Sequence, residues 1–600
     1  MSSSLINRTD IDFLLFDVFE TERLTHLEHF CDHSKETFSA TIDLAHNLGV
    51  DYFEPHASLV DENEPQMLNQ EVKIADEVHQ ALGQYYAAGF GAATQSYELG
   101  GMQLPFSISV ACKALLSAAN IATYAYSSLS HANANVIKNF ANDKLKNLYL
   151  PKLLDGTYMG TMALTEPQAG SSLADIQSSA VKQVDGNYLL SGNKIFISAG
   201  DHDLSENIVH LVLARIKGAP KGIKGLSLFI VPKFLVNDDG TLGERNDVNL
   251  AGLIHKMGYR GTTSTMLSFG EKTGAKAFLI GEPQKGLQYM FQMMNEARIG
   301  VGIGAVSLGY TAYLKAVNYA RDRAQGRDAK HRVPDGPQQS IIQHADVKRM
   351  LLKAKSFVEG GMCLSFYGAQ LVDKKTWCTD AQAREKSALL LDILTPILKS
   401  WPSKYCLEAN SIAIQVHGGY GYTREYPLER LYRDNRLNPI HEGTEGIQSL
   451  DLLGRKIMMN NGEAFNYLSS QVEQTIEHSL AIADTKQLGQ ALHDGWRCLK
   501  QTTHALIAVA KQESVEKTLS NSVLYLHSFG HTVVAWLWVK QALVANEKLK
   551  TASDTERDFY LGKKHAAQYF LNYELPKAAV DCHILDKNDQ TCVDMDANWF

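Results

Sequence analysis

The chain has 600 residues, a formal net charge of −8, and 45% hydrophobic against 21% charged residues. That length is too great for one hydrophobic core, so several domains are expected. The acidic balance excludes the broad basic field of a nucleic-acid-binding protein, and the composition is that of an ordinary globular protein.

No uninterrupted apolar run reaches the roughly 18–20 residues that cross a bilayer, so no integral membrane span is expected. The N-terminal apolar stretch is interrupted by acids, unlike a secretory signal. The eight cysteines are scattered, with no CxxC and no metal-like spacing. They read as buried free thiols, no metal site is expected, and a reducing cytoplasm fits.

Residues 1–160 read as mostly helical. Segments 30–48, 72–86 and 108–128 carry apolar residues at three- and four-residue steps, with a breaker at Gly100-Gly101 through Pro105. Over 161–280 the period shortens. Segments 207–215 and 225–231 are apolar or β-branched runs, while 188–198 and 262–269 alternate, which predicts a small antiparallel β-domain. From 281 to 459 the helical period returns, with helices expected at 344–373, 382–399, 401–415 and 445–459. Residues 460–600 read as a further helical domain. The fold class is therefore α+β, with the β-domain set between helical ones.

Several stretches could carry chemistry. Thr165-Glu166-Pro167 followed by Ala169-Gly170-Ser171-Ser172 is a loop with hydroxyls and free backbone N–H groups. It reads either as a capped turn between domains or as the lining of a heteroaromatic ring. Lys194-Ile195-Phe196-Ile197-Ser198 is a strand end that could simply be core. Arg323 ends a long helical pattern, where an arginine is either a solvated charge or a partner for an anion. The turn at Gln415 through Gly418-Gly419 leaves no Cβ in the way of a bulky ligand. Glu442 stands just ahead of a helix carrying Ile447, Leu450 and Leu453. The positive dipole end favours a carboxylate there for structural reasons alone, and the same position suits proton transfer beside a large cofactor.

Taken together, QVHGGYGYTREYPLERLYRD from Gln415, the following HEGT, and the TEPQAGSS loop resemble the motifs of the acyl-CoA dehydrogenase family of flavoproteins. They occur in the family's order over about 100–455. The resemblance implies an N-terminal helical domain (1–160), a middle antiparallel β-domain (161–280), a C-terminal four-helix bundle carrying the base (281–459) and an extra C-terminal helical domain (460–600). That last domain is like the one in large dehydrogenases and acyl-CoA oxidases.

It further implies FAD as cofactor, with Thr165, Ser171, Phe196, Ser198 and Thr444 at the flavin. Arg323 would hold the pyrophosphate, and Gln415, Gly418 and Gly419 the adenosine-diphosphate half of the FAD bound mainly by a neighbouring subunit. Glu442 becomes the catalytic base, with Glu445 a first-turn helix charge. Arg298 helps hold the base or the substrate. Some relatives place the base at the position matching Ala297, which has no proton chemistry, and Glu296 lies one position off. Ser172 stands where the family commonly has Asp, Phe196 where Trp is frequent, and His441 where many relatives have Tyr.

The implied reaction is α,β-dehydrogenation of an acyl-CoA to the trans-2-enoyl-CoA. Glu442 takes the α-proton and hydride passes to flavin N5, with electrons then going to an electron-transfer flavoprotein. The implied assembly is a homodimer, because the extra domain would cover the surface that smaller relatives use for tetramers. An acyl-CoA oxidase using O2 and a non-catalytic acyl-CoA-binding protein are the competing readings. The roughly 600-residue form resembles members acting on fatty acyl-CoAs and relatives acting on 3-methylmercaptopropionyl-CoA.

Overall fold

The computed structural model describes residues 5–69, 71–327, 336–512 and 514–600. It divides into two compact units. One comprises Met1–Phe38, Pro105–Ala114 and Arg298–Phe600, the other Ser39–Leu104 and Leu115–Ala297.

The second unit is built on an eight-stranded sheet. Its strands run in the order Val248–Leu253, Ser264–Phe269, Tyr188–Ser198, Ala275–Leu279, Leu226–Pro232, Asn207–Ile216 and Tyr158–Ala163, while Ser179–Lys182 pairs with both Tyr188–Ser198 and Asn207–Ile216. The sheet is mostly antiparallel, as the sequence predicts. Two pairings onto Asn207–Ile216, from Tyr158–Ala163 and Ser179–Lys182, are parallel.

The continuous apolar run at 207–214 is explained by burial of both faces. Val209, Leu211 and Leu213 pack with Leu226, Leu228 and Ile230 against Leu145–Leu154, whereas Val212 and Ala214 pack on the opposite side with Phe229, Val231 and Leu190. Successive side chains of a strand point to opposite faces, so one run supplies two cores.

The predicted helix over 72–86 begins later, at Asp76–Ala87. Residues Glu71–Lys73 instead pair with Gln66–Leu68 as a small hairpin. Helix Phe106–Phe140 outruns its predicted end. It is broken at Asn120, whose Oδ1 accepts from Thr123 N and restarts the helix as a cap would. By length and composition it could cross a membrane, yet 83% of its most apolar window is buried inside the fold.

Helix Gly286–Asp322, which enters the first unit at Arg298, forms the bundle with Ala345–Trp377 and Ala381–His417. The two helices predicted at 382–399 and 401–415 are one, continuing through Pro396 and Pro402. Pro402 has no N–H for the Leu398 carbonyl. That carbonyl lies against Gly302, where an added Cβ would sit 2.1 Å from it, so the loose end is covered by close helix packing.

The C-terminal region adds Glu463–Leu480, Lys486–Gln512, Ser522–Lys548, Asp554–Tyr569 and Leu575–Asp586. Its attachment to the bundle is partly ionic. The fully buried Lys563 ammonium reaches Glu359 Oε2 at 2.8 Å and Asp10 Oδ1 at 2.5 Å, and Trp538 Nε1 donates to the Ser356 carbonyl at 3.1 Å.

Candidate active site

The loop 441–446 carries the candidate base in an unusual backbone. Glu442 has φ +52° and Gly443 φ +91°. The left-handed region is costly for a side-chain-bearing residue and persists only when its surroundings hold it. They do so here. Gln448 Nε2 donates to the Glu442 carbonyl at 3.1 Å, and Lys399 Nζ donates to the Gly443 carbonyl at 2.7 Å. A Cβ at Gly443 would lie 2.5 Å from Gln448 Nε2, so glycine is required twice over. Thr444 then caps helix Glu445–Asp451, its Oγ1 accepting from Ile447 N.

Glu442 is half-buried as a residue. Burial of its carboxyl pushes the pKa above the usual carboxylate value, against the pull of Arg298 and Lys399. Arg298 is itself buried and ion-paired, its Nη1 3.1 Å from Asp451 Oδ2. Burial lowers Lys399 to about 8, opposed by Glu442 and Glu445. The two acids at this helix start diverge. Burial pushes Glu445 up, but His527 at 2.9 Å and Lys404 hold it below the ordinary value. His527 belongs to helix Ser522–Lys548, so the C-terminal region reaches the turn that follows the base. No local motif announces this contact. His441 donates from Nε2 to Asn438 Oδ1 at 3.1 Å.

Elsewhere in the same unit, Gln415, Gly418 and Gly419 lie at the exposed end of helix Ala381–His417. Cβ atoms added at Gly418 and Gly419 meet nothing, which leaves room for a ligand. The glycine that packing demands is Gly421, where a Cβ would lie 2.2 Å from the Ile414 carbonyl. His417 is buried, bonded to the Ala413 carbonyl, and stacked on Tyr319 at 4.1 Å. This stack brings the end of helix Gly286–Asp322, with exposed Arg323, beside the glycine turn.

The other unit holds Thr165, Ser171, Phe196 and Ser198. The loop and the strand end are joined directly, Ile195 N donating to the Thr165 carbonyl at 3.0 Å. Phe196 has φ +59° and is 62% exposed. An exposed aromatic ring on a strained strand end, flanked by exposed Ser198 and Ser171, has the form of one wall for a flat heteroaromatic group.

Two residues under this wall were missed. Lys194 Nζ, with its side chain fully buried, reaches Glu166 Oε1 at 2.8 Å and donates to the Leu164 carbonyl. Glu166 also accepts from Gln177 N and Ser178 N. The signal was a lysine inside an apolar strand, which needs a buried partner. The Ser172 hydroxyl donates to Asp175 at 2.6 Å, so the loop is tied without the family's usual Asp at 172.

Family models match at residues 161–271 (acyl-CoA dehydrogenase, middle domain), 284–458 (acyl-CoA dehydrogenase, C-terminal domain) and 468–596 (acetyl-CoA dehydrogenase C-terminal like). The chain is 34% identical over 537 residues to the 3-methylmercaptopropionyl-CoA dehydrogenase of Ruegeria pomeroyi, covering 89% of this chain and 90% of that protein. It is 32% identical over 541 residues to the broad-specificity linear acyl-CoA dehydrogenase FadE5 of Mycobacterium tuberculosis, covering 88% of each.

Among solved structures, Caenorhabditis elegans ACDH-11 in complex with C11-CoA aligns with a TM-score of 0.76 at 20% identity, covering 99% of this chain and 92% of that one. A Bacillus anthracis acyl-CoA dehydrogenase complexed with FAD aligns at 0.73 and 21%, covering 95% and 91%. The motif order, the fold and identity across nine-tenths of a curated relative lead to one statement: the chain belongs to the acyl-CoA dehydrogenase family.

Proposed function

We propose that this protein is an FAD-dependent acyl-CoA dehydrogenase in which Glu442 is the base that removes the α-proton of the thioester. The observation that carries this reading is the state of Glu442. Its carboxyl is raised by burial, set on a clamped left-handed turn, and flanked by two cations. A raised pKa narrows the gap to a carbon acid and improves proton transfer. Burial raises the carboxyl, and Arg298 and Lys399 oppose that rise by favouring its ionised form. The nearby Glu445 is bound to His527 and held low, which suits a structural charge rather than a base.

Among the described residues, no acceptor takes the Glu442 backbone N–H. It is free to donate to the thioester carbonyl, where negative charge develops as the α-proton leaves. A positioned base of this kind contributes roughly 10²–10⁴-fold. FAD, when bound, would supply the two-electron oxidation that takes up the β-hydrogen as hydride. On the protein side, Phe196 would pack on the ring, and Thr165, Ser171 and Ser198 would bond its polar edge. Arg323 would meet the pyrophosphate with the bidentate fork that guanidinium offers.

The open turn at Gln415, Gly418 and Gly419 suits the adenosine-diphosphate half of a partner subunit's FAD, and with it a homodimer. Electrons would leave to an electron-transfer flavoprotein, as the family resemblance implies. The substrate range of the similar dehydrogenases supports an acyl-CoA as donor.

The test is anaerobic mixing of the purified holoenzyme with a panel of acyl-CoAs, from butyryl-CoA to 3-methylmercaptopropionyl-CoA, followed by the flavin absorbance. Bleaching by at least one, with dye or electron-transfer flavoprotein outpacing O2 as acceptor, supports the reading. Rapid peroxide release in air would assign an oxidase instead.

A further inference from the structure

His441, immediately before the base, sits at the end of a one-way chain of hydrogen bonds whose direction is fixed by backbone carbonyls. The carbonyls of Leu308 and Ala305 in helix Gly286–Asp322 can only accept. Asn410 Nδ2 donates to the Leu308 carbonyl at 3.0 Å, so Asn410 Oδ1 is turned towards Asn435. Asn435 Nδ2 donates to that oxygen at 2.6 Å and to the Ala305 carbonyl at 3.1 Å. Asn435 Oδ1 then accepts from Asn438 Nδ2 at 2.9 Å, leaving Asn438 Oδ1 to face His441 Nε2 at 3.1 Å.

All three amides are buried, so a reversed amide anywhere in the chain would leave like groups facing each other with no water to relieve them. A carboxamide oxygen only accepts. His441 Nε2 therefore carries the proton. The charged groups that bear on the ring are Lys399 from helix Ala381–His417 and Lys113 from helix Phe106–Phe140. Together with burial they disfavour the imidazolium and lower the pKa to about 3. In the neutral ring, the proton on Nε2 leaves Nδ1 bare.

We propose that Asn410, Asn435 and Asn438 form a positioning relay that holds His441 as the Nε2–H tautomer and presents Nδ1 as a hydrogen-bond acceptor beside the base. A ring so held offers its bare Nδ1 to an N–H or O–H donor. It has no spare proton for Glu442 and does not compete with it for the α-proton. The proposal deepens the assignment of Glu442 and rests on it for its functional meaning.

The tautomer itself is read without turnover. In holoenzyme carrying 15N-labelled histidine, long-range proton–nitrogen correlation spectra report each ring nitrogen as protonated or bare, and His441→Phe identifies the ring of interest. The expected result is a protonated Nε2 and a bare Nδ1 in the wild type, unchanged from about pH 5 to about pH 8. Asn438→Asp replaces the amide by an anion of the same shape and should bring the His441 titration into that window. Asn438→Leu removes the acceptor and should give mixed tautomers. A wild-type ring protonated on Nδ1, or charged at neutral pH, overturns the relay whatever the variants do. Failure of the Glu442 assignment would show instead in flavin bleaching, which this spectrum does not involve.

Discussion

The Lys399 ammonium lies 2.7 Å from the Gly443 carbonyl, so a buried cation fastens the turn that carries the base and at the same time biases the charge of that base. Lys399→Met keeps the packing volume but removes both the charge and the hydrogen bond to the Gly443 carbonyl. Glu442 should then titrate higher, since a nearby opposite charge lowers a carboxyl. The base works only when ionised, so the rate of anaerobic flavin reduction rises with pH through its pKa. The acid limb of that profile should move upward by the same amount, and an unmoved limb would show that Lys399 is not felt by the base.

The two adjacent acids should respond in opposite ways. Glu445→Gln breaks the contact with His527 but leaves the carboxyl of Glu442, so bleaching should persist within about tenfold. His527→Ala should behave like Glu445→Gln, because each removes one side of the same 2.9 Å contact. The comparison is made by stopped-flow reduction with one acyl-CoA. Loss of reduction in Glu445→Gln with normal FAD content would exchange the roles of the two carboxylates.

Beneath the proposed flavin wall, Lys194→Met should be strongly destabilising, by roughly 3–5 kcal/mol, because it leaves the Glu166 carboxylate buried without its cation. The intact pair also sets a pH dependence. Burial alone would raise Glu166, but Lys194 and the backbone donors take it down to about 2. A carboxylate depressed on folding contributes stability above its unfolded pKa, which is lost as pH falls towards the folded value. Acid denaturation monitored by circular dichroism should therefore lose this contribution between about pH 5 and pH 2 in the wild type. The double variant Lys194→Met/Glu166→Gln should lack that component.

Phe196→Ala should weaken FAD retention while sparing the fold, since the ring is 62% exposed and contributes little to the core. Loss of one aromatic contact of about 0.5–1.5 kcal/mol predicts a rise of roughly two- to twelvefold in the dissociation constant, measured by dilution and flavin fluorescence. Phe196→Trp should restore binding. Unchanged retention in the alanine variant would remove Phe196 from the cofactor wall.

Much of this was legible in the chain. The change of period near 160 marks where strands replace helices, and that near 280 where helices return, because burial on a pleated sheet and on a helix imposes different spacings. Glu442 and the glycine turns were singled out through motif order. What was hidden depended on contacts between distant segments. Nothing local says that Lys194 will meet Glu166, or that His527 will reach Glu445 from more than eighty residues away. The left-handed backbone at Glu442 was invisible for the same reason, since Lys399 and Gln448 impose it. The break expected between 399 and 401 is absent, although Pro402 lies just beyond it. Proline usually ends a helix, but here Gly302 covers the carbonyl it frees and the helix continues.

The most direct test of the central claim is Glu442→Gln in anaerobic titration with an acyl-CoA that bleaches the wild type. The expected variant is yellow, with full FAD content, and its flavin band does not bleach on the wild-type timescale. Bleaching at the wild-type rate would contradict Glu442 as the base.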